Sequence, residues 1–147
     1  MRILGVDFGD RNIGIAVSDA LLFTAQALDS YRVRSKEEDK KYFKKLVSKY
    51  NVGEIVIGLP LRMDGSPGTR VEKTKIFALW LENTLHLPIT FWDERLTTKQ
   101  ALKILGQHKI KNKNKKKKIL KHQISATIIL SSYLESKREK HNATQDF

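Results

Sequence analysis

Arg2-Ile3-Leu4-Gly5-Val6-Asp7-Phe8-Gly9-Asp10-Arg11-Asn12-Ile13-Gly14-Ile15-Ala16-Val17-Ser18 sets two apolar runs, 2–8 and 12–18, on either side of a polar Gly9-Asp10-Arg11. Isoleucine- and valine-rich segments joined by so short a polar link predict a β-hairpin. A third strand is expected near Ala25–Val33. Ser35 and Glu38 then form a capping box, and Tyr42, Phe43, Leu46, Val47 and Tyr50 recur at helical spacing behind it, with Gly53 expected to end the helix. Glu54-Ile55-Val56-Ile57-Gly58 is a short, continuous apolar run of the kind that is buried on both faces of a parallel sheet.

The rest of the chain continues the alternation of strands and helices. Residues 59–68 carry two prolines and two glycines and read as a loop. A helix is expected from Thr69 to Leu85, with Val71, Ile76, Phe77, Trp80 and Leu81 on its buried side. Pro88 opens a strand, Ile89–Asp93, and Thr97 and Thr98 are candidate caps for a helix bearing Ala101, Leu102, Ile104 and Leu105. After a lysine-rich loop, a last helix over about Leu120–Lys137 puts His122, Ala126, Ile129 and Tyr133 on one face. The expected order is β-β-β-α-β-α-β-α-α, an α/β mixed sheet with helices on both faces. One domain, 1–138, is followed by a polar, loose tail, 139–147.

Composition narrows the chemistry. The chain has 147 residues and no cysteine, so disulfides, thiol catalysis and thiolate metal sites are excluded. Its first residues lack the pattern of a signal peptide, and no apolar run suggests a membrane span, so a cytoplasmic location is expected. The net charge is +12. No acid occurs between Glu94 and Glu135, an interval holding Arg95, Lys99, Lys103, Lys109, Lys111, Lys113, Lys115, Lys116, Lys117, Lys118 and Lys121. Such a block suits a polyanion, because each neutralised phosphate releases condensed counterions. A solvated lysine loop without a partner is the alternative.

Asp7 ends a strand that should be central, and Glu94, preceded by Asp93, ends another. Ligand sites of open α/β sheets gather at strand ends, and a buried carboxylate needs a partner or a cation. Two such acids are suited to a hard divalent metal, magnesium or manganese, although acids at strand ends also merely cap loops. Asp7-Phe8-Gly9 with Gly14 also resembles the first phosphate loop of actin-like and sugar-kinase ATPases. A second phosphate hairpin and the length for a second lobe are both lacking.

Four ordered motifs carry a closer resemblance. They are Asp7-Phe8-Gly9 with Arg11–Asp19, Gly58-Leu59-Pro60-Leu61 with Met63–Ser66, Asp93-Glu94-Arg95-Leu96-Thr97-Thr98, and Ser125–Leu130 with Tyr133-Leu134. Together they resemble the YqgF (RuvX) family of pre-16S rRNA nucleases, over Arg2 to about Leu134. The resemblance implies a ribonuclease H-like fold related to Holliday-junction resolvases. It also implies a part in trimming the 5′ end of the small-subunit rRNA precursor, and places Asp7 and Glu94 in an acidic site. A third acid is implied three residues before Ser125, where this chain has His122. A neutral imidazole there weakens a magnesium site, while imidazole suits manganese.

On this reading Asp7, Glu94 and His122 are the candidate catalytic and metal-binding residues. Arg62, Arg70 and Arg95 are candidates to grip phosphates through the planar guanidinium fork. Lys109, Lys111, Lys113, Lys115, Lys116, Lys117 and Lys118 would add affinity without sequence choice. Arg11 either joins the arginines or pairs with Asp10 or Asp19. Trp80 and Trp92 read as core residues rather than base-stacking platforms. RNA, pre-16S rRNA above all, or structured DNA is the expected partner, with the small ribosomal subunit behind it and the chain a monomer or homodimer. Loss of cleavage through the change at His122 would leave a binding assembly factor.

Overall fold

The computed structural model describes residues 1–97 and 115–145. The hairpin forms as expected: β1 (Arg2–Asp7) pairs antiparallel with β2 (Asn12–Ser18), Asp7 opposite Gly14. The expected third strand is two short ones, β3 (Ala25–Ala27) and β4 (Tyr31–Arg32), both paired with β2. Between them Leu28 N–H donates to the Ile15 carbonyl at 2.8 Å and Ser30 Oγ to the Ile13 carbonyl at 3.3 Å, so the ladder breaks while the contact to β2 persists.

Helix α1 (Lys36–Tyr50) begins where the capping box predicts, with the Glu38 amide on Ser35 Oγ at 3.2 Å. Gly53 does not end it. Asn51 does, in the left-handed region at φ 52°, and Gly53 already lies in β5 (Val52–Leu59). Asparagine serves there because its short polar side chain tolerates that conformation. Helix α2 (Thr69–Leu85) and strand β6 (Ile89–Asp93) match their expected bounds, and a single 3₁₀ turn, Glu94–Thr97, follows β6. The helix expected around Ala101–Leu105 lies outside the described residues, as do Lys109, Lys111 and Lys113.

The last helix, α3 (Lys115–Gln145), is longer at both ends than its apolar pattern. Lys115–Lys118 therefore belong to its first turns rather than to a loop, and residues 139–145 are helical rather than a loose tail. The sheet order is β3-β2-β1-β5-β6, with β4 also on β2; β1, β5 and β6 are parallel. This is the mixed α/β sheet that the sequence predicts.

Alternation along the strands divides the core in two. Leu4, Val6, Ile13, Ile15, Ile55 and Ile57 face α1 and α2, where they meet Phe43, Leu46, Phe77 and Leu81. Ile3, Ala16 and Val56 face α3, meeting Ala126, Ile129, Leu130, Tyr133 and Leu134. Burying each such aliphatic side chain stabilises the fold by about 1.5–3 kcal/mol. Ile76, expected on the buried side of α2, is 67% exposed. Helix α3 is further fixed to β5 through Glu54, which accepts from Tyr133 Oη and from Lys137 Nζ, the latter at 2.9 Å. Gly14 lets α3 approach β2, since a Cβ there would fall on the His122 carbonyl.

Candidate active site

The parallel strands β1, β5 and β6 finish at one end of the sheet, and Asp7 and Glu94 are delivered there. Val6 pairs with Ile57 and Gly58 with Trp92, so Asp7 ends level with Gly58 and Glu94 follows one residue beyond the Leu59–Asp93 pair. One strand thus separates the two acids. The separation is bridged because Gly58 carries no side chain: a Cβ there would lie 2.7 Å from Glu94 Oε1. Glu94 crosses over Gly58 towards Asp7, close enough for the two carboxyls to act on each other.

Asp7 is buried, and its Oδ2 lies 2.9 Å from His122 Nδ1. The imidazole comes from α3 and stands beside Gly9, where a Cβ would meet Nε2 at 3.4 Å. The structure therefore brings together Asp7, Glu94 and His122. Burial raises the Glu94 pKa from 4.5 to about 8; the neighbouring Asp7 carboxyl pushes the same way, and Arg70 opposes them. At neutral pH the Glu94 carboxyl thus keeps its proton.

That proton occupies a place suited to a divalent cation. Among the described residues no group of three or more His, Asp or Glu side chains is arranged to hold a metal. The donor set is two carboxylates, with Asp7 supported from behind by the imidazole of His122. Magnesium is commonly held by one or two carboxylates, completing its shell with water and substrate phosphate, and ligating carboxylates are themselves hydrogen-bonded. The residues present fit such an ion.

The basic residues divide. Arg70, exposed at the start of α2, faces Glu94 closely enough to oppose its pKa rise. Arg95 is committed to Asp93, with Nε 3.0 Å from both carboxylate oxygens and Nη2 2.6 Å from Oδ2, and its Nη1 reaches the Met63 carbonyl at 3.5 Å. It braces the loop 60–68 against the turn after β6, and it holds the Asp93 carboxyl below the usual range. Arg62 lies against Gly68 in the same loop. Asp10 pairs with Lys73 at 3.7 Å, and Asp19 caps the amides of Phe23 and Thr24, so both acids have partners other than Arg11. Lys115–Lys118 stand at the start of α3.

Nothing in the sequence pattern marks Gly58 as the opening through which Glu94 reaches Asp7. The available signal is a glycine ending a strand of otherwise large apolar residues, which often marks close approach by another group.

A family model described as "RuvX: Holliday junction resolvase" matches residues 1–136. A Halothermothrix orenii protein named "Putative pre-16S rRNA nuclease" is 43% identical over 96% of this chain and 99% of its own length. One of the same name from Caldanaerobacter subterraneus is 44% identical over 94% and 99%. The solved structure of T. thermophilus RuvC in complex with a Holliday junction is similar in fold, with a TM-score of 0.57 at 14% identity, covering 94% of this chain and 96% of that one. The yeast mitochondrial resolvase Ydc2 gives a TM-score of 0.51 at 11% identity over 99% and 84%. The fold is thus ribonuclease H-like, and a match over nearly the whole length by model and relatives alike shows that the chain belongs to the RuvX (YqgF) family.

Proposed function

We propose that this protein is a divalent-metal-dependent nuclease that processes the 5′ end of the pre-16S rRNA, with Asp7 and Glu94 as the residues that hold the cation. The observation that carries the reading is the convergence at the strand ends of Glu94, which reaches over Gly58, and the buried Asp7, which His122 Nδ1 meets at 2.9 Å. A divalent ion bound there supplies Lewis-acid stabilisation of the phosphodiester's developing charge. The Nδ1–H tautomer of His122 donates to Asp7 Oδ2, orienting the carboxylate and leaving Nε2 as an acceptor for a water proton. Arg70 grips a phosphate oxygen of the substrate. The lysines at the start of α3, with Lys109, Lys111 and Lys113 before them, hold neighbouring phosphates without choosing sequence.

The names of the relatives support RNA as substrate, and the description of the family model supports a second reading, resolution of four-way DNA. One assay separates them. The protein and an Asp7→Asn variant are incubated with a pre-16S 5′-end RNA and with a four-way DNA junction, in magnesium and in manganese. Cleavage of the RNA by the unaltered protein alone is expected. Cleavage that survives in the variant, or that needs no divalent ion, refutes the proposal.

A further inference from the structure

A groove opens beside the site on the other face of the sheet, where Phe8, the residue after Asp7, stacks on Phe77 with ring centroids 4.6 Å apart. Trp80 continues this aromatic floor, 5.9 Å from Phe77, and the exposed Ile76 forms one wall. The cavity measures about 240 Å³. That falls short of the roughly 300–1,000 Å³ typical of sites for whole small-molecule ligands, and an apolar, aromatic lining of that size suits one planar ring. Lys36 and Lys73 stand at the rim, Lys36 Nζ lying 4.7 Å over the Trp80 ring. The two acids of the lining are occupied: Asp10 with Lys73, and Asp39 with Tyr31 Oη at 2.6 Å and the Arg34 amide at 3.0 Å.

The groove adjoins a recess at the start of α2. Phe8, Asp10 and Lys73 also line a smaller recess that contains Arg70. Arg70, Lys73, Phe77 and Trp80 are spaced by three, four and three residues, so one face of α2 runs from Arg70, whose charge acts on Glu94, to the aromatic groove. The ten steps from Arg70 to Trp80 span about 15 Å at 1.5 Å per residue.

We propose that this groove takes one unpaired base of the substrate strand, a few nucleotides from the scissile phosphate, stacked on the half-buried Trp80 ring and packed against the exposed Ile76. The assignment rests on the reading of Asp7 and Glu94 as a nucleic-acid site. Trp80 then combines a half-buried packing role with a platform role. Lys36 leaves the indole for the phosphate of the incoming nucleotide, an exchange favoured because a base stacked on an aromatic ring outweighs an exposed cation–π contact. Strand next to the cut must be single-stranded or splayed, so the protein prefers a junction or an unpaired end to a continuous duplex.

The test is direct binding by the full-length protein, without divalent metal, to a hairpin RNA with a short single-stranded arm whose register is fixed by the hairpin. Removing one base at a time along the arm should weaken binding at a single position, by about 5- to 100-fold. Ile76→Glu and Trp80→Leu should each weaken binding of the intact arm by a similar factor, abolish that position dependence, and leave blunt duplex binding unchanged. The proposal is overturned if the scan is flat, or if its profile persists in both variants. Cleavage assays on the same hairpin distinguish the two readings. A flat scan with Asp7-dependent cleavage removes the base pocket and keeps the nuclease, whereas a groove-dependent scan without cleavage in any ion keeps the pocket and removes the nuclease.

Discussion

Glu94 should make the metal-free protein less stable as the pH rises from 5 to 8. Its pKa is raised from 4.5 to about 8, by burial first and then by the neighbouring Asp7 carboxyl. A carboxyl raised in the folded state binds its proton more tightly folded than unfolded. The stability it contributes is therefore complete below pH 4.5 and is lost as pH climbs through about 8. At about 1.36 kcal/mol per pH unit, the rise to about 8 sets a ceiling of about 5 kcal/mol on that loss. Water entry and movement of the turn after β6 lower it to a few kcal/mol. For a domain of this size each kcal/mol moves Tm by roughly 2–4 °C, so a fall on the order of 10 °C is expected. Asp19, Asp64 and Asp93 do not obscure it: their pKa values are lowered from 3.8 by the Thr24 amide, Ser66 and Arg95 respectively, so their stability is lost only as pH falls through still lower values. The assay is thermal unfolding in chelator at pH 5, 6, 7 and 8, for the protein and for Glu94→Gln. The variant keeps the shape and cannot ionise, so its curve should be flatter. Saturating magnesium should restore the unaltered protein at pH 8, by about 2.7 kcal/mol at a hundred times Kd, and help the variant much less. Parallel pH curves for the two proteins would refute the argument.

Gly58→Ala should cut cleavage by about 10- to 100-fold, because a Cβ 2.7 Å from Glu94 Oε1 displaces that carboxyl; the crowding should also cost about 1–3 kcal/mol in a denaturant melt. Gly14→Ala should destabilise by at least as much, since its Cβ meets the backbone of α3 at His122, and should lower activity through the shifted imidazole. Tyr133→Phe removes a donor to Glu54 while Lys137 remains, so a loss of about 1 kcal/mol with cleavage unchanged is expected in equilibrium unfolding. Replacing Lys115, Lys116, Lys117 and Lys118 with glutamine should flatten the salt dependence of RNA affinity by roughly 0.7–0.9 in log–log slope for each phosphate that is no longer neutralised, read by titration at several salt concentrations.

The legible parts of the fold are those governed by local pattern. The β1–β2 hairpin, the cap at Ser35 and the bounds of α2 and β6 follow from apolar periodicity and turn chemistry within short windows, and they appear in the structure as the sequence predicts. The departures have identifiable causes. Asn51, not Gly53, ends α1, because the left-handed cap needs only one tolerant residue and asparagine comes first. Helix α3 starts at Lys115, yet no acid occupies its first turn to mark a helix N-terminus. Lysine propagates a helix well, so its polarity misleads. Ile76 follows the helical spacing of the core but sits where α2 passes the lip of the groove, a fact of tertiary shape.

The site shows a deeper limit on reading one sequence. Asp7 and Glu94 are recognisable as strand-end acids, but their meeting depends on which strand lies between β1 and β6, and on that strand ending in a residue without a side chain. The β5 register places Gly58 beside Trp92 and level with Asp7, and any larger residue there would keep the acids apart. The same logic applies to His122. Its position on α3 follows from periodicity, whereas its contact with Asp7 requires α3 to lie close over β2 at Gly14. Two glycines, on the strands that flank β1, thus set the approach of both partners to Asp7. Because bare backbone contributes little packing, they weaken the sheet locally, and that loss is tolerable only beside a large core such as the one Ile55, Ile57, Phe43 and Phe77 provide.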